Sequence, residues 1–126
     1  MRTRALLALA IPALMMAADA PKADIKVGTG IEKHEITGES ADFKVAAGTK
    51  IYAWTRISGA EGSVTVVFMK EGKEVSKQEL QVPHSPYRTN AYRTFRKGDA
   101  GDWTVKVMGA DGKELGTASF KVAIEG

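Results

Sequence analysis

The chain has 126 residues and no cysteine, and its 18 lysines and arginines face 15 aspartates and glutamates. Without cysteine there is no disulfide scaffold, so a domain of this length must depend on its hydrophobic core. If Arg2 and Arg4 leave with a leader, 16 basic residues remain against 15 acidic ones, and a net charge of +1 argues against nucleic acid as a partner.

The N-terminus has the build of a secretory signal peptide. Arg2 and Arg4 precede an apolar run from Ala5 to Ala17, and small residues follow. We therefore expect a signal peptide at residues 1–18, with cleavage near Ala18, and a single domain at 19–126. The run is too short for a permanent transmembrane helix and contains Pro12, so we expect no transmembrane segment in the mature chain and a periplasmic or secreted protein.

Beyond Pro21, apolar residues recur at every second position, which is typical of β-strands. Two or three short strands are predicted first, from the segments Ile25–Val27, Ile31–Ile36 and Phe43–Val45. A longer strand follows at Lys50–Ile57, where Trp54 is expected to be a core or inter-sheet residue rather than a platform for a ligand.

The second half of the chain continues this pattern. Ser63–Lys70 predicts a strand covered on one face and half covered on the other, and the more polar Glu74–Val82 predicts an exposed edge strand. Trp103–Val107 and Phe120–Ile124 are predicted to pair as a hairpin, and the segment "GADG" between them is predicted to form the turn. The whole is predicted to be all-β, an immunoglobulin-like antiparallel β-sandwich of seven or eight short strands.

A corner is predicted before the strand that begins near Trp103. Asp99, Gly101 and Trp103 have the Asp-x-Gly-x-aromatic spacing that opens a late strand of such sandwiches, where a tyrosine normally bonds back to the preceding corner. Here tryptophan replaces the tyrosine, so its indole N–H should find an acceptor in that corner.

The stretch "SPYRTNAYRTFRKGDAGDW", residues 85–103, concentrates arginine and aromatic side chains. Strict alternation places two arginines on one face and one among aromatics on the other, so we predict a bulge or loop at Thr89–Ala91. A short helix starting near Ser85 and ending at Gly98 is the rival prediction. The predicted contacts for a ligand or partner are Tyr87, Arg88, Tyr92, Arg93 and Arg96.

Two interpretations of these arginines remain open. In the structural one, an arginine pairs with a carboxylate such as Glu61 or Asp99 and lies over an aromatic ring, while the others are solvated. In the functional one, the guanidinium groups bind an anionic or glycan ligand and the tyrosines stack on it. We expect Arg88 to be the structural arginine, and Arg93 and Arg96 to be dispensable for stability.

No catalytic or cofactor motif is recognisable. The chain lacks a Gly-x-Ser-x-Gly nucleophile motif and a glycine-rich phosphate loop. His34 and His84 are fifty positions apart, without the short partner spacing of metal sites, so we expect no bound metal and no other cofactor. A non-enzymatic interaction module is predicted, with an envelope protein or polysaccharide as partner. The alternatives are a small metal-dependent hydrolase using His34 or His84, and a structural protein that pairs through the edge Glu74–Val82.

Several segments resemble a bacterial family known as domain of unknown function 2914. They are "KIYAWTRISG", "KEGKEV" with the following "LQV", "YRT" at residues 87–89, "GDWTVKV" and "DGKELGTASFKV". The resemblance implies a small all-β domain of envelope or exported proteins, with Arg88 at the family's recurrent arginine. The chain departs from the family at Val66 and Phe68, where a histidine and a tryptophan are usual, and at Tyr87, where a tryptophan is usual.

Overall fold

The computed structural model describes residues 20–125, and every regular element among them is a β-strand. The strands, in chain order, are β1 Lys22–Gly28, β2 Gly30–Glu32, β3 Glu35–Thr37, β4 Asp42–Ala46, β5 Thr49–Ser58, β6 Gly62–Lys70, β7 Lys73–Val82, β8 Tyr87–Phe95, β9 Gly101–Gly109 and β10 Glu114–Glu125. The expected signal peptide, residues 1–18, lies outside the described residues and remains a prediction. Within residues 20–125 no helix is long and apolar enough to cross a membrane.

Eight of the strands form two facing sheets. One sheet has the order β1-β5-β8 and the other has the order β4-β10-β9-β6-β7, while β2 and β3 form a separate two-stranded ribbon. The strands β1, β5 and β8 correspond to strands A, B and E of an immunoglobulin-like domain, and β10, β9 and β6 correspond to strands G, F and C. The predicted sandwich is therefore confirmed, and its ladders are antiparallel apart from the parallel pair β4–β10.

The core lies between the two sheets and follows the alternation of the sequence. Val64, Val66 and Phe68 of β6 are buried, whereas the side chains between them are partly covered. At the centre, the ring of Trp103 lies 4.7 Å from that of Phe95, measured between centroids in an edge-to-face arrangement. Each large side chain buried in this way contributes roughly 1.5–3 kcal/mol of transfer free energy.

The predicted exposed edge is β7, the last strand of the five-stranded sheet. Its ladder with β6 shifts register between Phe68 and Met69, which leaves Val75 as an extra residue opposite them. Val75 is accordingly one of the exposed large apolar side chains, at 42%. A bulge of this kind bends an edge strand and hinders its pairing with other chains.

The prediction of one strand over Ile31–Ile36 is wrong, because the segment folds back on itself. Glu32 pairs with Glu35, so that only Lys33 and His34 form the turn. Their φ angles are 51° and 65°, as a two-residue hairpin turn of type I′ requires. Glycine and asparagine normally mark such turns, and their absence here concealed the reversal.

The predicted break at Thr89–Ala91 is also wrong, and so is the helical alternative. β8 pairs with β5 from Tyr87 to Phe95 without any shift in register. Strict alternation is maintained because the arginine on the inner side of β8, Arg93, lies over aromatic rings that accommodate its guanidinium group.

Candidate ligand-binding face and groove

The five residues predicted as contacts do not form one surface. Arg88 and Tyr92 point outward from the three-stranded sheet, whereas Arg93 points inward and Arg96 follows the end of β8. Tyr87 is half-buried on the inner side of β8, and its ring meets that of His84 edge-to-face at 5.2 Å. The sequence therefore combined residues of two different surfaces.

The outward side chains of β1, β5 and β8 form what we call the outer face. The register places them in rows across the strands: Asp24, Arg56 and Arg88; then Lys26, Trp54 and Asn90; then Tyr52 and Tyr92. The rings of Tyr52 and Tyr92 are 5.6 Å apart at a tilt of 50°, and the Lys50 ammonium lies 4.8 Å from the centre of the Tyr92 ring. Tyr92 is 48% exposed, which is high for a large aromatic side chain.

Trp54 is buried, as predicted, but it lies on the outer face and not between the sheets. It is only 5% exposed because the β2–β3 ribbon covers it. Its indole N–H donates a 2.7 Å hydrogen bond to the backbone carbonyl of His34, and the Lys26 ammonium lies 5.1 Å from the ring centre. The buried polar atom of the tryptophan is thus satisfied by the turn of the ribbon.

A groove of about 850 Å³ runs between the β2–β3 ribbon, the C-terminal half of β5 and the N-terminal half of β8. Residues that line it include His34, Glu35, Trp54, Arg56, His84 and Arg88. The fold thus brings to one groove the two histidines that the sequence separates by fifty positions. Across residues 20–125, no group of three or more His, Cys, Asp and Glu side chains is arranged to hold a metal ion.

Arg88 and Glu35 form an ion pair on the wall of this groove. Their side chains are 46% and 52% exposed. Pairs this exposed contribute little to folding stability, because water screens the attraction. Arg88 is therefore available for a competing anion, and the expectation that it is the structural arginine does not fit its surroundings.

Arg93 has the surroundings of a structural arginine instead. Its guanidinium carbon lies 5.3 Å from the ring centre of Trp103 and 5.9 Å from that of Phe95. One terminal nitrogen is 3.5 Å from a carboxylate oxygen of Asp99, and the side chain is 26% exposed. The structural interpretation, an arginine over an aromatic ring beside Asp99, thus describes Arg93.

The corner before β9 is built as predicted. The indole N–H of Trp103 donates a 2.7 Å hydrogen bond to the backbone carbonyl of Asp99, and Trp103 is 1% exposed. The Asp99 carboxylate in turn accepts a 2.8 Å bond from the backbone N–H of Arg96. The corner therefore fixes the direction in which the chain leaves β8.

A family model described as "Protein of unknown function (DUF2914)" matches residues 61–122. The family resemblance is confirmed. The DUF2914 match spans β6 to β9 and β10 as far as Val122, so it includes Tyr87 and Arg88, while β5 with Trp54 and Arg56 precedes it. No curated protein sequence matches the chain significantly.

Among solved structures, a comparison matches the chain to the CARDB domain of the PF1109 protein from Pyrococcus furiosus, crystallised in complex with di-metal ions. The two chains are 13% identical, with a TM-score of 0.47, over 83% of this chain and 94% of that domain.

Proposed function

We propose that this protein is an exported, non-enzymatic interaction module of the cell envelope that binds an anionic glycan on its outer face. The observation that carries the proposal is the ordered arrangement of aromatic and cationic side chains on one exposed sheet surface. Tyr52 and Tyr92 form one end of this surface, and Arg56 and Arg88 form the other. Export rests on the signal-peptide pattern of residues 1–18.

The two ends have complementary chemistry for a saccharide that carries carboxylate or phosphate groups. Aromatic rings present apolar faces on which sugar rings stack, and Tyr92 is exposed enough to serve in this way. Guanidinium groups bind such anions through paired N–H donors. Four residues of an extended strand separate the two ends, roughly 13 Å, which an extended oligosaccharide can bridge.

The proposal is tested by affinity electrophoresis in gels that contain polygalacturonate, with dextran as the uncharged comparison. Tyr92→Ala and the double variant Arg56→Ala/Arg88→Ala should each bind polygalacturonate roughly tenfold more weakly, which is the loss expected from about 1.4 kcal/mol. The matched control is Lys44→Ala/Lys121→Ala, which removes two exposed cations from the opposite sheet.

The control should be retarded as strongly as the original protein, and the melting temperatures of all variants should agree closely. Equal retardation of every variant would reject the outer face as the binding surface. A lack of retardation by any charged polysaccharide, including a phosphate-bearing teichoic acid, would reject anionic glycans as the ligand class.

A small metal-dependent hydrolase is the second candidate, because His34, His84 and Glu35 line the same groove. Metal analysis of the purified protein decides between the two. If the protein is an interaction module, the purified protein should contain no stoichiometric zinc, copper or iron. It should also show no ester hydrolysis that depends on His84 or His34, as tested with His84→Ala and His34→Asn. Asparagine is chosen at position 34 because it tolerates the positive φ found there.

A further inference from the structure

The two sheets of the sandwich differ in width, and the narrower one ends at β8. One sheet has three strands and the other has five. On the side of the sandwich where β8 is the last strand of the narrower sheet, the wider sheet extends further, through β7. In immunoglobulin-like domains of the constant type, a fourth strand continues the A-B-E sheet at this position. Within residues 20–125, no strand pairs with the outer edge of β8.

The backbone groups along that edge can be identified from the ladder with β5. The carbonyl of Phe95 accepts a 2.7 Å bond from the N–H of Gly48, which immediately precedes β5, so Phe95 directs its backbone groups toward β5. Successive residues of a strand direct these groups to opposite sides. Asn90, Tyr92 and Thr94 therefore present N–H and C=O groups to the open edge, where an added strand could pair with them.

A second groove, of about 360 Å³, adjoins this edge. Ser76–Gln78 of β7 and Tyr92–Thr94 of β8 form its sides, and the ring of Phe68 lies among its lining residues. The charged side chains that line it are Lys77, Arg93 and Arg96, and all three are cationic.

Asp99, the carboxylate that contacts Arg93 and Arg96, is already occupied. One of its oxygens accepts the backbone N–H of Arg96, and the other lies 3.5 Å from Arg93. The Nε atom of Arg93 is buried without a hydrogen-bond partner in the described part of the chain. Arg96 and Lys77 form no ion pair among residues 20–125, so an incoming carboxylate would find two cations that the fold itself has not neutralised.

The outer edge of β7, which faces the same side of the sandwich, is less suited to strand addition. It carries the bulge at Val75, and charges of both signs alternate along it, among them Lys73, Glu74, Lys77 and Glu79. Bulges and charged side chains are the devices by which edge strands avoid pairing. β8 has an unbroken register and no carboxylate.

We propose that β8 binds an extended acidic peptide segment by strand addition, through its open backbone edge rather than through the side chains of the outer face. The peptide backbone pairs with Asn90, Tyr92 and Thr94. One inward side chain of the peptide, which is apolar, lies on Phe68, and a neighbouring inward carboxylate meets Arg96 and Lys77. In this mode the main-chain bonds supply affinity and the groove selects the side chains.

The test uses the ¹⁵N-labelled protein and a capped peptide of the sequence Thr-Val-Thr-Glu-Thr-Val-Thr. Its valines and its glutamate lie on one face of the extended chain, and its threonines lie on the other. The expected result is saturable chemical-shift change at the amides of Asn90, Tyr92 and Thr94. A second peptide with lysine in place of the glutamate should bind roughly tenfold more weakly, since it removes a charge-assisted pair. Changes centred on β7 or on the β2–β3 ribbon, or no saturable change, would overturn the proposal.

The matched variants are Thr94→Pro and Thr94→Val. Proline removes the edge N–H while leaving the bonds to β5 in place, which an edge strand tolerates, whereas valine keeps the N–H. The proline variant should bind the glutamate peptide about tenfold more weakly than the valine variant. Equal affinities would overturn the proposal. If the proline variant fails to fold, Arg96→Glu serves as the test instead. This variant should bind the lysine peptide more tightly than the glutamate peptide, and an unchanged preference for the glutamate peptide would reject the site.

Discussion

Arg93 and Arg88 are five positions apart on one strand, yet their environments have little in common. Arg93 lies over Trp103 and beside Asp99, with about a quarter of its side chain exposed. Arg88 forms an ion pair with Glu35 in which both side chains are about half exposed. A cation over an indole ring gains strength as water is excluded, whereas an exposed ion pair is screened.

Replacing Arg93 by alanine should therefore destabilise the fold by about 1–2 kcal/mol, through loss of the cation–π and Asp99 contacts. Arg88→Ala is the matched control and should cost less than about 0.5 kcal/mol, because the exposed pair contributes so little. Urea denaturation followed by tryptophan fluorescence measures both free energies of unfolding. A larger loss in Arg88→Ala than in Arg93→Ala would contradict this assignment.

Thr55 is the one polar residue that is fully buried among residues 20–125, at 1% exposure, and its hydroxyl has no hydrogen-bond partner there. An unsatisfied buried hydroxyl costs about 1–3 kcal/mol, and valine has nearly the same shape. Thr55→Val should accordingly raise the free energy of unfolding by about 1 kcal/mol. Thr55→Ser retains the hydroxyl and loses the methyl group, so it should lower stability. A destabilised valine variant would show that the hydroxyl has an acceptor after all.

At the scale of elements, the β2–β3 ribbon covers Trp54 through a strained turn. Lys33 and His34 both have positive φ, and neither is glycine or asparagine. This conformation costs L-residues roughly 1–2 kcal/mol each. The ribbon tolerates the strain because the His34 carbonyl satisfies the buried indole of Trp54. The positive-φ turn at Lys33 and His34 thus holds the ribbon against Trp54, and His34 and Trp54 both line the groove.

Replacing Lys33 and His34 by Asn and Gly should relieve this strain and stabilise the protein by about 1 kcal/mol, since the pair is the preferred type I′ sequence. The bond from Trp54 involves a backbone carbonyl and should persist. Thermal unfolding measures the gain, and Lys33→Ala/His34→Ala is the control that leaves the strain in place. Polygalacturonate binding should stay unchanged in the Asn-Gly variant, because the proposed contacts lie on β5 and β8. A lower melting temperature in that variant would contradict the turn assignment.

At the scale of the whole molecule, the sandwich closes on one side by contact between β1 and β10 and stays open on the other, between β7 and β8. On the closed side, a Cβ atom added to Gly116 would clash with the backbone carbonyl oxygen of Ala23. Backbone atoms of a paired strand cannot move aside as a flexible side chain can. Gly116 therefore permits the close approach of the two sheets.

Gly116→Ala should separate β1 from β10 and destabilise the fold by about 2–3 kcal/mol, as overpacking against backbone does. Ser119→Ala, at an exposed position of the same strand, is the control and should change stability by less than about 0.5 kcal/mol. Denaturant unfolding together with hydrogen exchange of the β1 amides measures the effect. Unchanged protection of β1 in Gly116→Ala would show that the sheets can accommodate the methyl group.

The amino-acid sequence by itself determined the all-β class and most of the longer strands, because the pleat sends alternate side chains to opposite faces. For this reason the pattern of Ser63–Lys70 indicated a strand with one covered and one half-covered face, and the Trp103 corner could be assigned from its local spacing. The residue types in the long stretch also correctly indicated an arginine beside Asp99.

The tertiary structure alone decided which surface each outward residue joins. Alternation gives two faces of β8 but does not say which of them turns inward, and pairing with β5 placed Arg93 inside and Arg88 outside. The groove that unites His34 with His84 likewise depends on strands far apart in the chain. Neighbours across a sheet are set by register and by sheet packing, and neither is encoded in the local pattern of any one strand.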